Sequence, residues 1–146
     1  MNKLLLLASI SLVFGTTYAS ADWINPPRKA CTKNGGHLAQ GGVCEANWSS
    51  AKRICRVAGG RLPTINELRK VITSCGGEVN DNSNNKNDPS YQSCYANRGF
   101  SSSGYYWSST TLASDSSYAW IVYFKSGNDN VDKSDSYFVR CVRAGQ

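Results

Sequence analysis

The sequence holds a single histidine, His37, and only three glutamates, Glu45, Glu67 and Glu78. Acid–base or nucleophilic catalysis needs a base held rigidly beside its nucleophile. Nothing holds His37 in that way, because it lies in the glycine-rich stretch "KNGGHLAQGG". Each glutamate has a structural position: Glu67 in a capping box, Glu45 before a helix and Glu78 in a polar segment. The six cysteines never stand in C-x-x-C spacing, which excludes the usual zinc and thiol-redox sites. The composition therefore points away from an enzyme.

Long apolar runs are absent, with one exception. Residues 4–15, "LLLLASISLVFG", are apolar but too short to span a bilayer. Asn2-Lys3 precedes them, and Ala19-Ser20-Ala21 follows with the pattern of a signal-peptide cut. The expected organisation is a signal peptide over 1–21 and a single domain over 22–146, with no transmembrane segment in the mature chain. No cysteine stands at the cut to carry a lipid anchor. The mature protein is expected to be secreted, periplasmic or on the cell surface.

Aliphatic residues are also scarce. After residue 21 there are four Leu, five Ile, eight Val and three Phe, a share at which a chain can stay disordered. Four Trp and seven Tyr beyond that point supply the missing apolar area. All six cysteines lie in the exported part, where disulfides form. Without Lys3, fifteen basic residues face ten acidic ones, a net charge of +5. That excess suits an anionic partner outside the cell. Export and the lack of any reading-helix motif argue against nucleic acid.

Two amphipathic helices are legible. Asn47 caps the first, whose apolar face is Trp48, Ala51, Ile54, Cys55 and Ala58, and Gly59-Gly60 ends it. Capping also accounts for Asn47 in the glycosylation-like triplet Asn47-Trp48-Ser49. Thr64 and Glu67 form a capping box for the second helix. Its face is Ile65, Leu68, Val71, Ile72 and Cys75, and Gly76-Gly77 ends it. Upstream, 31–44 reads as a small hairpin or loop between cysteines. Downstream, 76–104 is rich in Asn, Ser, Gly and Asp, shows no apolar period and reads as a long functional loop. "YYWSST", "YAWIVYF" and "YFVRCVR" read as strands, separated by turns at 113–117 and 126–136. The fold class is α+β with an antiparallel sheet.

Several motifs together carry a resemblance. Trp48-x-x-Ala51-x-x-x-Cys55 leads into Gly60-Arg61-Leu62-Pro63-Thr64-x-x-Glu67-Leu68. Tyr106-Trp107-Ser108-Ser109-Thr110, Ala119-Trp120, Gly127 and Val139-Arg140-Cys141-Val142-Arg143 follow in order. Over residues 48–143 the chain resembles the bacterial Lcl C-terminal domain family, named for the end domain of a collagen-like adhesin. It is also similar to the lectin-like end domains of intimin and invasin adhesins. The resemblance implies a C-type lectin-like fold, in which the glycine elbow lets the second helix pack across the sheet from the first. It further implies a bridge from Cys55 to Cys141, with Cys75 to Cys94 across the first part of 76–104 and Cys31 to Cys44 locally. The cysteines alone leave fifteen connectivities open.

The implied role is a non-catalytic, adhesin-like module that binds a surface ligand, a glycan or a protein. An anionic or sulfated glycan is the natural class. The alternative is a structural or assembly subunit of a pilus or envelope complex. Two groups of residues are candidates for contact. One is the outer face of the first helix, with Lys52, Arg53 and Arg56 beside Ser49. The other is the long loop, with Tyr91, Tyr95, Arg98 and Phe100, joined by Trp107; aromatic faces among short amides suit adaptable binding. No cofactor is expected. The Glu-Pro-Asn loop and Trp-Asn-Asp strand of calcium-dependent lectins are missing. From Asp81, "DNSNNK" departs from an EF-hand at Lys86 and Gln92. Asp129, Asp132 and Asp135 are the remaining candidates for a metal.

Overall fold

A computed structural model describes residues 21–80 and 83–143. The expected signal peptide, all but Ala21, lies outside the described residues, as does Asp81. Helices α1 (Arg28–Thr32), α2 (Trp48–Val57), α3 (Ile65–Ser74), α4 (Ser83–Lys86) and α5 (Pro89–Asn97) combine with two sheets. The larger sheet runs β2 (His37–Leu38), β3 (Cys44–Ala46), β8 (Tyr137–Phe138), β5 (Tyr105–Leu112), β6 (Asp115–Tyr123) and β7 (Gly127–Asp132). The smaller runs β1 (Trp23–Ile24), β9 (Cys141–Arg143) and β4 (Gly60–Arg61). Neighbours are antiparallel except β5 and β8, which meet in parallel at Tyr106 and Phe138. The architecture is the α+β class expected, and nothing in it conflicts with a C-type lectin-like fold.

The centre of the larger sheet is buried on both faces. Alternation along β5 and β6 sends Trp107, Ala119 and Ile121 into one core with Ala51, Ile54 and Cys55 of α2. It sends Tyr106 and Val122 into a second core with Leu68 and Ile72 of α3 and Tyr91 and Tyr95 of α5. The chain must therefore pass from one face to the other between α2 and α3. Gly59, at φ 87°, ends α2 in the left-handed conformation. Gly60 crosses β9 so closely that a Cβ there would stand 2.2 Å from the Val142 carbonyl oxygen. Thr64 then starts α3: its Oγ1 accepts the Glu67 N–H at 3.2 Å, and Glu67 Oε1 accepts the Thr64 N–H at 2.9 Å. The three bridges join Cys55 to Cys141, Cys75 to Cys94 and Cys31 to Cys44, as the resemblance implied.

Four expectations need correction. Residues 76–104 are not a structureless loop. Asp88 caps α5 by accepting the N–H groups of Ser90 and Tyr91, with Pro89 in the first turn. Tyr91 and Tyr95, one turn apart, bury this helix with Phe100 just beyond it. Three aromatic rings supply the apolar face that a search for aliphatic periodicity misses. Residues 127–132 form the edge strand β7 rather than a turn. Its backbone pairs with β6 from Gly127 to Asp132, and an edge tolerates Asn and Asp side chains. Residues 137–143 are two strands in different sheets, split at Val139 and Arg140. In the segment 31–44, Cys31 stands on the short helix α1, and only β2 and β3 form a hairpin.

Residues of the segment 76–104 fix the turn between β6 and β7. Tyr91 Oη donates to the Phe124 carbonyl at 2.7 Å, Gln92 Nε2 to that of Lys125 at 3.2 Å, and Asn85 Nδ2 to that of Ser126. Three consecutive backbone acceptors are thus satisfied by side chains.

Phe100→Ala is expected to cost about 3–5 kcal/mol, the range for removing a buried aromatic ring. Urea unfolding checks this, and an unchanged midpoint would return the segment to the surface.

The elbow carries a pH signature. Arg61 forks onto Glu67, with Nη1 to Oε1 at 2.7 Å and Nη2 to Oε2 at 3.1 Å. Burial pushes the Glu67 carboxyl up, but the Arg61 hydrogen bond, the Thr64 N–H and the Arg61 charge together outweigh it. Its pKa in the folded chain therefore lies below the ordinary value of 4.5. The stabilisation is complete above the ordinary value and is lost as pH falls through the lower, folded one. Glu67→Gln should melt below the parent at neutral pH, and the gap should close in acid. A gap that stays constant with pH would contradict this origin.

Candidate functional site

The eight arginines divide into two groups. Five are engaged. Arg61 holds Glu67. Arg69 donates to Asn128 Oδ1 at 2.8 Å and stacks on Trp120. Arg98 donates to Ser74 Oγ. Arg140, nine-tenths buried, lies 4.3 Å from the Phe100 ring centre and donates to the Arg98 carbonyl. Burial lowers its pKa against the opposing effect of Tyr106. Arg143 pairs with Asp22 at 2.6 Å. The other three, Arg28, Arg53 and Arg56, are exposed, and their guanidinium groups make no hydrogen bond or ion pair among the described residues.

Those three stand on α1 and α2, which pack against each other. Ser50, Ala51, Ile54 and Cys55 point α2 inward, so Arg53 and Arg56 face outward beside Lys52. Helix α1 buries Ala30 and Cys31 and exposes Arg28 and Lys29, and Lys33 follows it. Neither helix carries a carboxylate. Glu45, on the neighbouring strand β3, is committed to His37 Nε2 at 2.9 Å. The result is an outward-facing basic surface whose charges are not neutralised from within.

One end of this surface is anchored by Trp48. Its Nε1 donates to the Ser108 carbonyl at 2.9 Å, and its backbone N–H donates to the Lys133 carbonyl at 3.1 Å. The Lys52 and Lys133 ammonium groups lie 4.3 and 4.0 Å from the ring centre. Lys133 is itself held by Thr111 Oγ1 and the Ser116 carbonyl. Lys52 is therefore partly spent on the tryptophan face, whereas Arg53 and Arg56 are not.

The aromatic candidates are elsewhere. Tyr91, Tyr95, Phe100 and Trp107 are 0–2% exposed. The Trp107 ring closes the α2-side core, and its Nε1 donates to the Ala46 carbonyl at 2.8 Å. These four rings cannot present a face to a ligand in this fold. Arg98 is exposed at the end of α5, but away from the three uncommitted arginines in sequence and engaged with Ser74. Of the eight contact residues expected, α2 brings Lys52, Arg53 and Arg56 together. Arg28 was missed, because α1 is too short to show a period; "RKACTK" holds three cations and no acid.

The three aspartates do not converge. Asp129 and Asp132 fall on opposite faces of β7 by alternation, and Asp135 lies beyond the strand. Asp132 Oδ1 is occupied by the N–H and hydroxyl of Ser134, which keep its carboxyl below the usual range. Among the described residues no group of three His, Cys, Asp or Glu side chains could hold a metal ion. None of the described helices is long and apolar enough to cross a membrane.

No curated protein and no solved structure matches the chain. The family model of the Lcl C-terminal domain matches residues 20–143. That range takes in the segment 31–44 and helix α1 as well as the motifs from Trp48 onward. With the fold, the three bridges and this match together, the chain belongs to the Lcl C-terminal domain family.

Proposed function

We propose that this protein is a non-catalytic extracellular module that binds an anionic surface glycan, sulfated or uronate-bearing, through the outer faces of α1 and α2. Family membership suggests an extracellular binding module, and three disulfides fit an oxidising compartment. The observation that carries the ligand class is the division of the arginines. Arg28, Arg53 and Arg56 are uncommitted on two adjoining helices without a carboxylate. A guanidinium fork matches the oxygens of sulfate and carboxylate groups. Repeated anions along a polymer suit arginines at successive turns of a helix.

The role of an assembly subunit has less support. A permanent interface buries a large, hydrophobic area. The exposed large apolar side chains among the described residues are Val57 and Tyr105.

Arg53→Glu with Arg56→Glu should sharply reduce retention on a heparin column, most at low salt, where exposed charges are least screened. The melting temperature should barely change, since neither side chain touches the core. Unaltered retention by a folded double variant would overturn the assignment.

A further inference from the structure

A second surface lies at the other end of the same sheet face, where the cover of α2 runs out. Alternation places Tyr105 and Trp107 of β5, Ile121 and Tyr123 of β6, and Gly127 and Asp129 of β7 on one side. Trp107 and Ile121 are fully buried, but Tyr105 is 36% exposed and Tyr123 is half-buried. The two rings meet edge to face at 5.0 Å, and Tyr137 of β8 adds a third ring 5.4 Å from Tyr105. Opposite Tyr123 on β7 stands Gly127. With no side chain there to cover the ring, a shallow open cleft forms between the tyrosines and the β6–β7 turn.

The walls of this cleft are fixed. The turn behind it is the one whose three carbonyls are held by Tyr91, Gln92 and Asn85. Asn128 is pinned by its N–H to the Val79 carbonyl at 2.8 Å and by Arg69 on its side chain. Around the rim, hydrogen-bonding groups are unused. The hydroxyls of Tyr105, Tyr123 and Ser126 have no partner among the described residues. Asp129 uses Oδ1 on the Asn130 N–H and leaves Oδ2 over. Asp129 contributes a carboxylate to the lining.

We propose that this cleft is a separate binding site for one pyranose ring of a neutral saccharide. A pyranose has an apolar C–H face and a rim of adjacent hydroxyls. The partly exposed tyrosine rings offer the apolar platform, and the carboxylate and hydroxyls along the rim offer partners for the sugar hydroxyls. Rigid aromatic surface with a few placed polar groups is the usual make-up of a small-ligand site. A pre-fixed wall lowers the ordering cost of binding. Its tyrosine rings and the Asp129 carboxylate separate this site from the basic helices, which select anions.

The test is saturation-transfer NMR on the mature chain with the methyl glycosides of glucose, galactose, mannose and N-acetylglucosamine. At least one should receive transfer, strongest on the protons of one C–H face, with an affinity in the millimolar range. Asp129→Ala and Tyr105→Ser should each weaken it on the order of tenfold. Salt and the Arg53→Glu, Arg56→Glu double substitution should leave it unchanged, so this site can fail or stand without the glycan site on α2. Asp129 is exposed and outside the core, so its variant remains informative if Tyr105→Ser disturbs the tyrosine row. No transfer from any of the four sugars overturns the proposal. So does transfer that survives Asp129→Ala, or transfer that is lost on reversing the α2 charges.

Discussion

The second half of strand β6, with Phe124 just beyond it, is buried on both faces, and this constraint organises the molecule. Ala119 and Ile121 point to α2, while Val122 and Phe124 point to α3 and α5. With so few aliphatic residues, neither face could be closed by Leu and Ile alone. Trp107 and Tyr137 help to fill one side, and Tyr91, Tyr95, Phe100 and Tyr106 fill the other. Their polar tips reach backbone partners, as Trp107 reaches Ala46 and Tyr91 reaches Phe124. Because helices must cover both faces, the chain needs a tight crossing between α2 and α3. Gly59, Gly60 and the Thr64–Glu67 box provide it within nine residues.

The same constraint sets where the chemistry can be. Helix α2 is clamped to β9 by Cys55 and Cys141, and β9 pairs with β1 on one side and β4 on the other. This bridge closes the longest loop, 86 residues, for which chain entropy gives about 4–5 kcal/mol. With its inner face fixed in this way, α2 has one orientation, and Arg53 and Arg56 must face outward. The arginines with structural work are those at crossings and edges: Arg61 at the elbow, Arg69 beside β7, Arg98 between α5 and α3, Arg140 between the two sheets, Arg143 at the end of β9. The arginines left over are those on the outer helices.

Local signals with strong chemistry were legible in the sequence. Asn47 and Thr64 as caps, the two glycine stops and the apolar faces of α2 and α3 could all be read directly. So could the basic outer stripe of α2. The run "AWIVYF" also shows its origin, since a strand buried on both faces reads as continuous apolar sequence rather than alternation. The pairing of the cysteines came from the resemblance alone. What escaped depends on tertiary context. Tyr91 and Tyr95 make α5 a core helix only because Phe124 and Phe100 lie opposite them. The roles of Asn85 and Gln92 exist only once the β6–β7 turn is placed beside them. The strand β7 is polar because it is an edge, which no local pattern reveals. The tyrosine row joins residues 105, 123 and 137 from three strands, and their nearness exists only in the folded sheet.

The proposed contact lies on the outer faces of α1 and α2 and not on the segment 89–100. Backbone amide shifts of the mature chain, followed while a heparin-derived hexasaccharide is added, test it most directly. Shifts should concentrate in residues 28–33 and 48–57, with 89–100 unmoved. Shifts centred on 89–100, with both helices unmoved, would contradict it.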